Sequence, residues 1–212
     1  MAVAHGAPVA LAEPVVPVRR SWIGLLFAAN LGLWMALFTP IQVLLPEQIA
    51  EIGVPGKEAA LGWVTALGAL VAIVVNPLAG AFSDRTRPRL RGRVFGRRHV
   101  WTLGGAAVSA LSLLFLAEQR SIAGVAVGWA GAQAGVYLAV DTALITQVLP
   151  AAVDRAKDLG VINIASAAPQ VLGPALAAPL VTHLGGYPTL YAVTAGVTLL
   201  GAVLVVRIRS VP

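Results

Sequence analysis

Asp141 is the only ionisable residue well inside a long apolar run, about eight residues from that run's end at Leu149. An ionised carboxylate at membrane depth costs at least ~2.5 kcal/mol on insertion scales, so such a group faces a wet cavity, pairs with a cation or takes up a proton. No Lys or Arg lies inside another apolar run to pair with it. Two readings stand side by side: a carboxylate that carries a proton or binds a cation, and one bonded to Thr142, Gln147 or a neighbouring backbone group near the interface. Gln133 and Tyr137 share a helical face with Asp141, all three within about 80° at about 100° per residue. Farther on, Asn163, Ser166 and Gln170 continue through Gly173 and Ala177 at spacings of three and four, which makes one polar strip on one helix face. Asn30 and Trp34 form a third set. Amide, hydroxyl and indole groups so arranged suit the wall of a cavity that holds a small polar solute without covalent chemistry. Bonds between packed helices would use the same groups.

Covalent and metal chemistry find little support. The chain has no cysteine, and its three histidines, His5, His99 and His183, are too far apart in sequence to suggest a metal site. No Gly-x-Ser-x-Gly, His-Glu-x-x-His or Gly-rich phosphate loop with Lys occurs. The expectation is therefore a protein that is not an enzyme and holds neither metal nor cofactor. Asn76-Pro77-Leu78-Ala79 evokes the Asn-Pro-Ala loops of water channels, but those folds need two such loops, and no second Asn-Pro pair is present.

The elements that would position these groups are membrane helices. The 212 residues are 58% hydrophobic and 11% charged, with a mean hydropathy of +0.84. A soluble domain is roughly half apolar and about a quarter charged, so a water-soluble globule is excluded. Apolar runs cover Trp22 to Leu45, Ala59 to Phe82, Val100 to Leu116, Ile122 to Leu149, Val161 to Val181 and Leu190 to Val206. With about 20 residues needed per span, these predict six helices. Residues 1–20, with three prolines and no basic leader region, read as a disordered tail, followed by a six-helix domain over 21–209 and a short C-terminus at 210–212.

Thirteen of the fifteen basic residues fall on one side of this arrangement: Arg19, Arg20, Arg85, Arg87, Arg89, Arg91, Arg93, Arg97, Arg98, Arg155, Lys157, Arg207 and Arg209. The other side has only Lys57 and Arg120 beside Glu47, Glu51, Glu58 and Glu118. The positive-inside rule then puts both termini in the cytoplasm and the chain in the plasma (inner) membrane. The same distribution explains a pI near 10.8 without nucleic acid, because the arginines sit in short loops beside anionic headgroups.

The predicted fourth helix carries Gly124, Gly128, Gly131 and Gly135 within about 60° of one another, a smooth stripe for close helix packing and roughly opposite Gln133 and Tyr137. The fifth contains Pro169, Pro174 and Pro179, each of which removes a backbone donor and leaves a carbonyl to be satisfied elsewhere. Such a helix suits a cavity wall or a moving part.

Between the second and third helices runs Gly80 to Arg98, GAFSDRTRPRLRGRVFGRR. This resembles the signature of major facilitator superfamily transporters, a Gly, three residues, Asp-Arg, then Gly and paired basic residues. Gly80, Asp84, Arg85, Gly96, Arg97 and Arg98 match it, with extra residues from Arg87 to Phe95 before Gly96. SDRTRPR, and the stretch from Gly135 to Ala177, are similar to the branch of sugar and glycoside cation symporters. The resemblance implies an all-α membrane fold of six transmembrane helices in a three-plus-three repeat, with Pro77 and Pro174 as candidate counterparts. It implies transport of a small polar solute, sugar-like or drug-like, by alternating access and coupled to a proton or sodium ion. It also implies a cytoplasmic gate in which Asp84 meets free N–H groups at Asp158, Leu159, Gly160 and Val161. Family members run to about twice this length, so the expectation includes a homodimer as the transporting unit. The alternative is a non-transporting scaffold or a vestigial, internally deleted fragment.

Overall fold

Proline does not end the first apolar run. In the computed structural model, which describes residues 20–85, 89–90, 93–94, 97–139 and 155–206, helix α1 (Arg20–Thr39) passes into a π turn (Pro40–Leu44) and on into α2 (Leu45–Ile52). Pro40 has no N–H and its ring crowds the carbonyl four residues back; a wider turn, in which the Leu45 N–H bonds to the Pro40 carbonyl, makes room for the ring. The outcome is one apolar span, Ile23–Ile52, of 30 residues, longer than the run to Leu45 that the sequence predicts. It stops where Gly53 turns left-handed at φ 73°, its N–H bonded to the Ala50 carbonyl at 3.2 Å.

Four further long helices follow: α3 (Lys57–Arg85), α4 (Arg97–Ala117), α5 (Ile122–Ala139) and α6 (Arg155–His183). The last is α7 (Gly186–Val206). Residues 140–149, the remainder of the predicted fourth span, lie outside the described residues. Among the described residues, five helical spans are long and apolar enough to cross a membrane. The sixth, α6, is long enough at 29 residues, but its apolar character is diluted by Asn163, Ser166, Gln170 and three internal prolines. One detail departs from an all-helical expectation. Within the Arg-rich connection, β1 (Arg89–Leu90) pairs antiparallel with β2 (Arg93–Val94), Arg89 opposite Val94 and Leu90 opposite Arg93. Two-residue strands are too short to leave a period in the sequence.

The helices pack in a repeated pattern. α5 lies between α3 and α4, α1 lies between α6 and α7, and α4 and α7 pack against each other behind them. α1 and α5 touch only lightly. Exchanging α1 with α5, α3 with α6 and α4 with α7 reproduces the same set of neighbours, the three-plus-three arrangement. Pro77 and Pro174 then lie on counterpart helices, α3 and α6.

The closest approaches are made by glycines in equivalent interfaces. A Cβ on Gly32 of α1 would lie 2.7 Å from the Val197 carbonyl oxygen and 3.0 Å from the Gly201 Cα of α7. A Cβ on Gly105 of α4 would lie 2.5 Å from the Ala139 nitrogen and 2.6 Å from the Gly135 carbonyl oxygen of α5. Helices in lipid gain little from burying apolar area against each other, so backbone contact over small residues supplies much of the attraction. Three of the four glycines of the predicted stripe pack on α4, with Gly128 facing Leu116, Gly131 facing Ser112 and Gly135 facing Ser109, while Gly124 faces Gln119 and Ser121 of the α4–α5 connection. Trp129, Leu113, Leu116, Leu44, Leu45 and Tyr191 fill the core around these crossings.

Candidate functional site

α1 and α5 occupy the middle of the molecule, flanked by α3 and α6, and they carry most of the described candidate residues. Asn30 is buried, and its Nδ2 donates to the Leu26 carbonyl at 2.9 Å, so one amide proton is committed to its own helix. One turn on, Trp34 is half-buried and stacks on Phe38 with ring centroids 5.7 Å apart. On α5, Tyr137 is half-buried near the helix end. Gln133, one turn earlier, is only 5% exposed and turns toward α3: a Cβ on Gly68 would lie 3.1 Å from its Cγ. Trp129 fills the same contact, and its buried Nε1 has no partner among the described residues.

The last described turn of α5 is held by α4, where Thr102 Oγ1 donates to the Ala139 carbonyl at 3.3 Å. Asp141 follows two residues later and lies outside the described residues. On the flanks, Asn76 and Pro77 of α3 and Gln170 and Pro174 of α6 are exposed. Asn163 and Ser166 lie on α6 at the predicted three-residue spacing; their side chains are outside the described residues.

The gate motif divides between two helices. Gly80 is exposed and, with Asp84 and Arg85, forms the last turns of α3, while Arg97 and Arg98 open α4. Gly96 and the four charged side chains lie outside the described residues. One expectation about this region changes. α6 is already helical at Arg155, so the N–H groups of Leu159, Gly160 and Val161 are engaged in its ladder. Donors left free by the helix belong to its first turn, at Arg155 to Asp158, or before it.

Two features were not anticipated from the sequence. Thr39, at the start of the π turn, is fully buried against Gly173 of α6, and its Oγ1 has no partner among the described residues. At the opposite end from the Arg-rich connection, Gln48 of α2 donates to the carbonyls of Leu116 at 2.7 Å and Gln119 at 3.0 Å, and accepts from the Tyr191 hydroxyl at 2.7 Å. Tyr191 lies 143 residues away in sequence, so no local pattern points to it.

A family model described as Major Facilitator Superfamily matches residues 22–212, nearly the whole chain and all of its described helices. No curated protein matches the chain closely enough to narrow that family to a branch.

Proposed function

This chain belongs to the Major Facilitator Superfamily, a family of multi-pass membrane transporters, and from that premise we propose that it moves a small polar solute, sugar-like or drug-like, by alternating access coupled to a proton or a sodium ion. The observation that supports this reading is the repeated packing around α1 and α5. The two central helices touch only lightly and carry Trp34 and Tyr137, both half-buried, with Gln170 and Asn76 exposed on the flanks. Aromatic faces with a few amides are the usual lining of a site for a polar solute.

Asp141, four residues after Tyr137 in the sequence, is the coupling residue in this reading. A carboxylate in an apolar run changes its charge readily with local polarity, which is what a proton or cation carrier requires. In this reading the chain lies in the plasma (inner) membrane with both termini on the cytoplasmic side, which the basic residues on the side of the Arg-rich connection support. Asp84, Arg85, Arg97 and Arg98 act as the cytoplasmic gate, closing against the first turn of α6. A pathway between two six-helix units needs a second unit facing α1 and α5, and a second copy of this chain fills that role.

The reading is tested in proteoliposomes under an imposed pH gradient, using a panel of sugars and cationic drugs. Asp141→Asn is expected to abolish coupled uptake while the protein still inserts, and unchanged pH-dependent uptake would refute the coupling role. Crosslinking in membranes is expected to trap a dimer. Stable insertion with no flux of any solute would favour a scaffold.

A further inference from the structure

At the end of the bundle away from the Arg-rich connection, a cleft of about 420 Å³ opens between α2, the α4–α5 connection and the start of α7. Its floor is fixed. Gln48 uses its amide group on the Leu116 and Gln119 carbonyls and on the Tyr191 hydroxyl, which ties α2 to the last turn of α4, to the α4–α5 connection and to α7. The Tyr191 hydroxyl gives its proton to Gln48, so toward the cleft it can only accept.

The walls carry opposite charges. Glu51 stands on the α2 side and Arg120 on the α4–α5 connection; both are exposed, both line the cleft, and among the described residues they form no ion pair with each other. Tyr187 and Pro188 also line the cleft and add apolar surface to it, and Tyr187 lies beside the Glu47 and Glu51 carboxylates. One side of the cleft is therefore rich in acceptors and the other presents a single guanidinium, a fork that matches phosphate or carboxylate oxygens. The position matters as well. The spans Ile23–Ile52 and Val100–Ala117 end here and the spans starting at Ile122 and Gly186 begin here, which sets the cleft at the depth of lipid headgroups.

We propose that this cleft binds an ammonium–phosphate zwitterion of the phosphoethanolamine class, its primary ammonium against Glu51 and the Tyr191 hydroxyl and its phosphate on Arg120. The group reaches the cleft either as a free solute or as the headgroup of a phosphatidylethanolamine molecule in the surrounding leaflet. This site is independent of the pathway between α1 and α5 and does not rest on transport activity.

The test uses the purified full chain. In detergent, O-phosphoethanolamine is titrated by calorimetry against ethanolamine and inorganic phosphate; in nanodiscs, native mass spectrometry compares retention of phosphatidylethanolamine with phosphatidylglycerol. The expected result is binding of the zwitterion in at least one of the two formats, with either half alone weaker. Glu51→Gln and Arg120→Gln each weaken it by about tenfold or more, since each removes a charge-assisted bond. Combining Glu51→Arg with Arg120→Glu restores part of the loss. Retention of the lipid without binding of the free headgroup assigns the source as the leaflet. Equal binding of inorganic phosphate, equal retention of phosphatidylglycerol, indifference to both single substitutions, or no binding in either format overturns the proposal.

Discussion

The contact of α5 with α3 and the contact of α1 with α6 are counterparts in the repeat, yet they are built from opposite materials. In the first, Trp129 and Gln133 press large side chains onto Gly68. In the second, Thr39 meets Gly173, small against small, where α1 widens into its π turn and α6 carries Pro169, Pro174 and Pro179. A ring seated on a glycine fixes two helices in one relative position, because nearly any shift collides or opens a void. Two small residues beside a π turn and a proline-rich helix leave backbone carbonyls unpaired and permit bending. The repeat thus keeps its neighbours while making one flank stiff and the other compliant, and an alternating-access cycle would draw its motion from the α1–α6 flank.

The largest effects should come from the glycine crossings that both halves share. Gly105→Ala is expected to destabilise the folded protein by about 3 kcal/mol or more, above the usual cost of overpacking, because the new methyl meets α5 backbone rather than a movable side chain. Gly104→Ala, one residue away with nothing within 4 Å, should change stability by less than about 0.5 kcal/mol. Thermal unfolding in detergent separates the two, and equal effects would remove the backbone contact from the account.

Intermediate and small effects divide the two flanks. Gly68→Ala pushes into the Trp129 ring and should cost about 1–3 kcal/mol, whereas Gly173→Ala meets the Thr39 hydroxyl at 3.2 Å and should cost under about 1 kcal/mol. If Gly173→Ala proves the more damaging, the stiff and compliant flanks have been assigned the wrong way round. Pro174→Ala restores a backbone donor at an exposed position, so stability should hold or rise while hydrogen exchange along α6 slows. Faster exchange there would count against proline as the source of compliance.

Much of this was readable in the chain because it depends on residue size and periodicity. Gly124, Gly128, Gly131 and Gly135 recur at helical spacing, so the packing face of α5 was legible, and the charged connections marked the helix ends. The end of the first span was not, because the apolar run ends at Leu45, before Pro46 and Glu47, yet α2 carries the helix past them to Ile52. Nor was the α1–α6 contact: Thr39 and Gly173 have no special mark in their own segments and meet only because the helices cross there. Gln133 illustrates a half-legible case. Its helical face was right, but which helix that face meets is a property of packing, and it meets α3. The cleft at Gln48 and Tyr191 joins residues from opposite ends of the chain, and Glu51 and Arg120 read in sequence as ordinary loop charges.

The central claim is that α1 and α5 line a pathway open alternately to the two sides of the membrane, and the absence of cysteine from the chain makes it directly measurable. Trp34→Cys and Tyr137→Cys, made singly, are labelled in sealed vesicles of each orientation with a membrane-impermeant maleimide, with Leu111→Cys on the exposed face of α4 as the lipid-facing control. The account predicts that positions 34 and 137 react from both sides and position 111 from neither. Labelling of 34 and 137 from one side alone, or from neither, would contradict it.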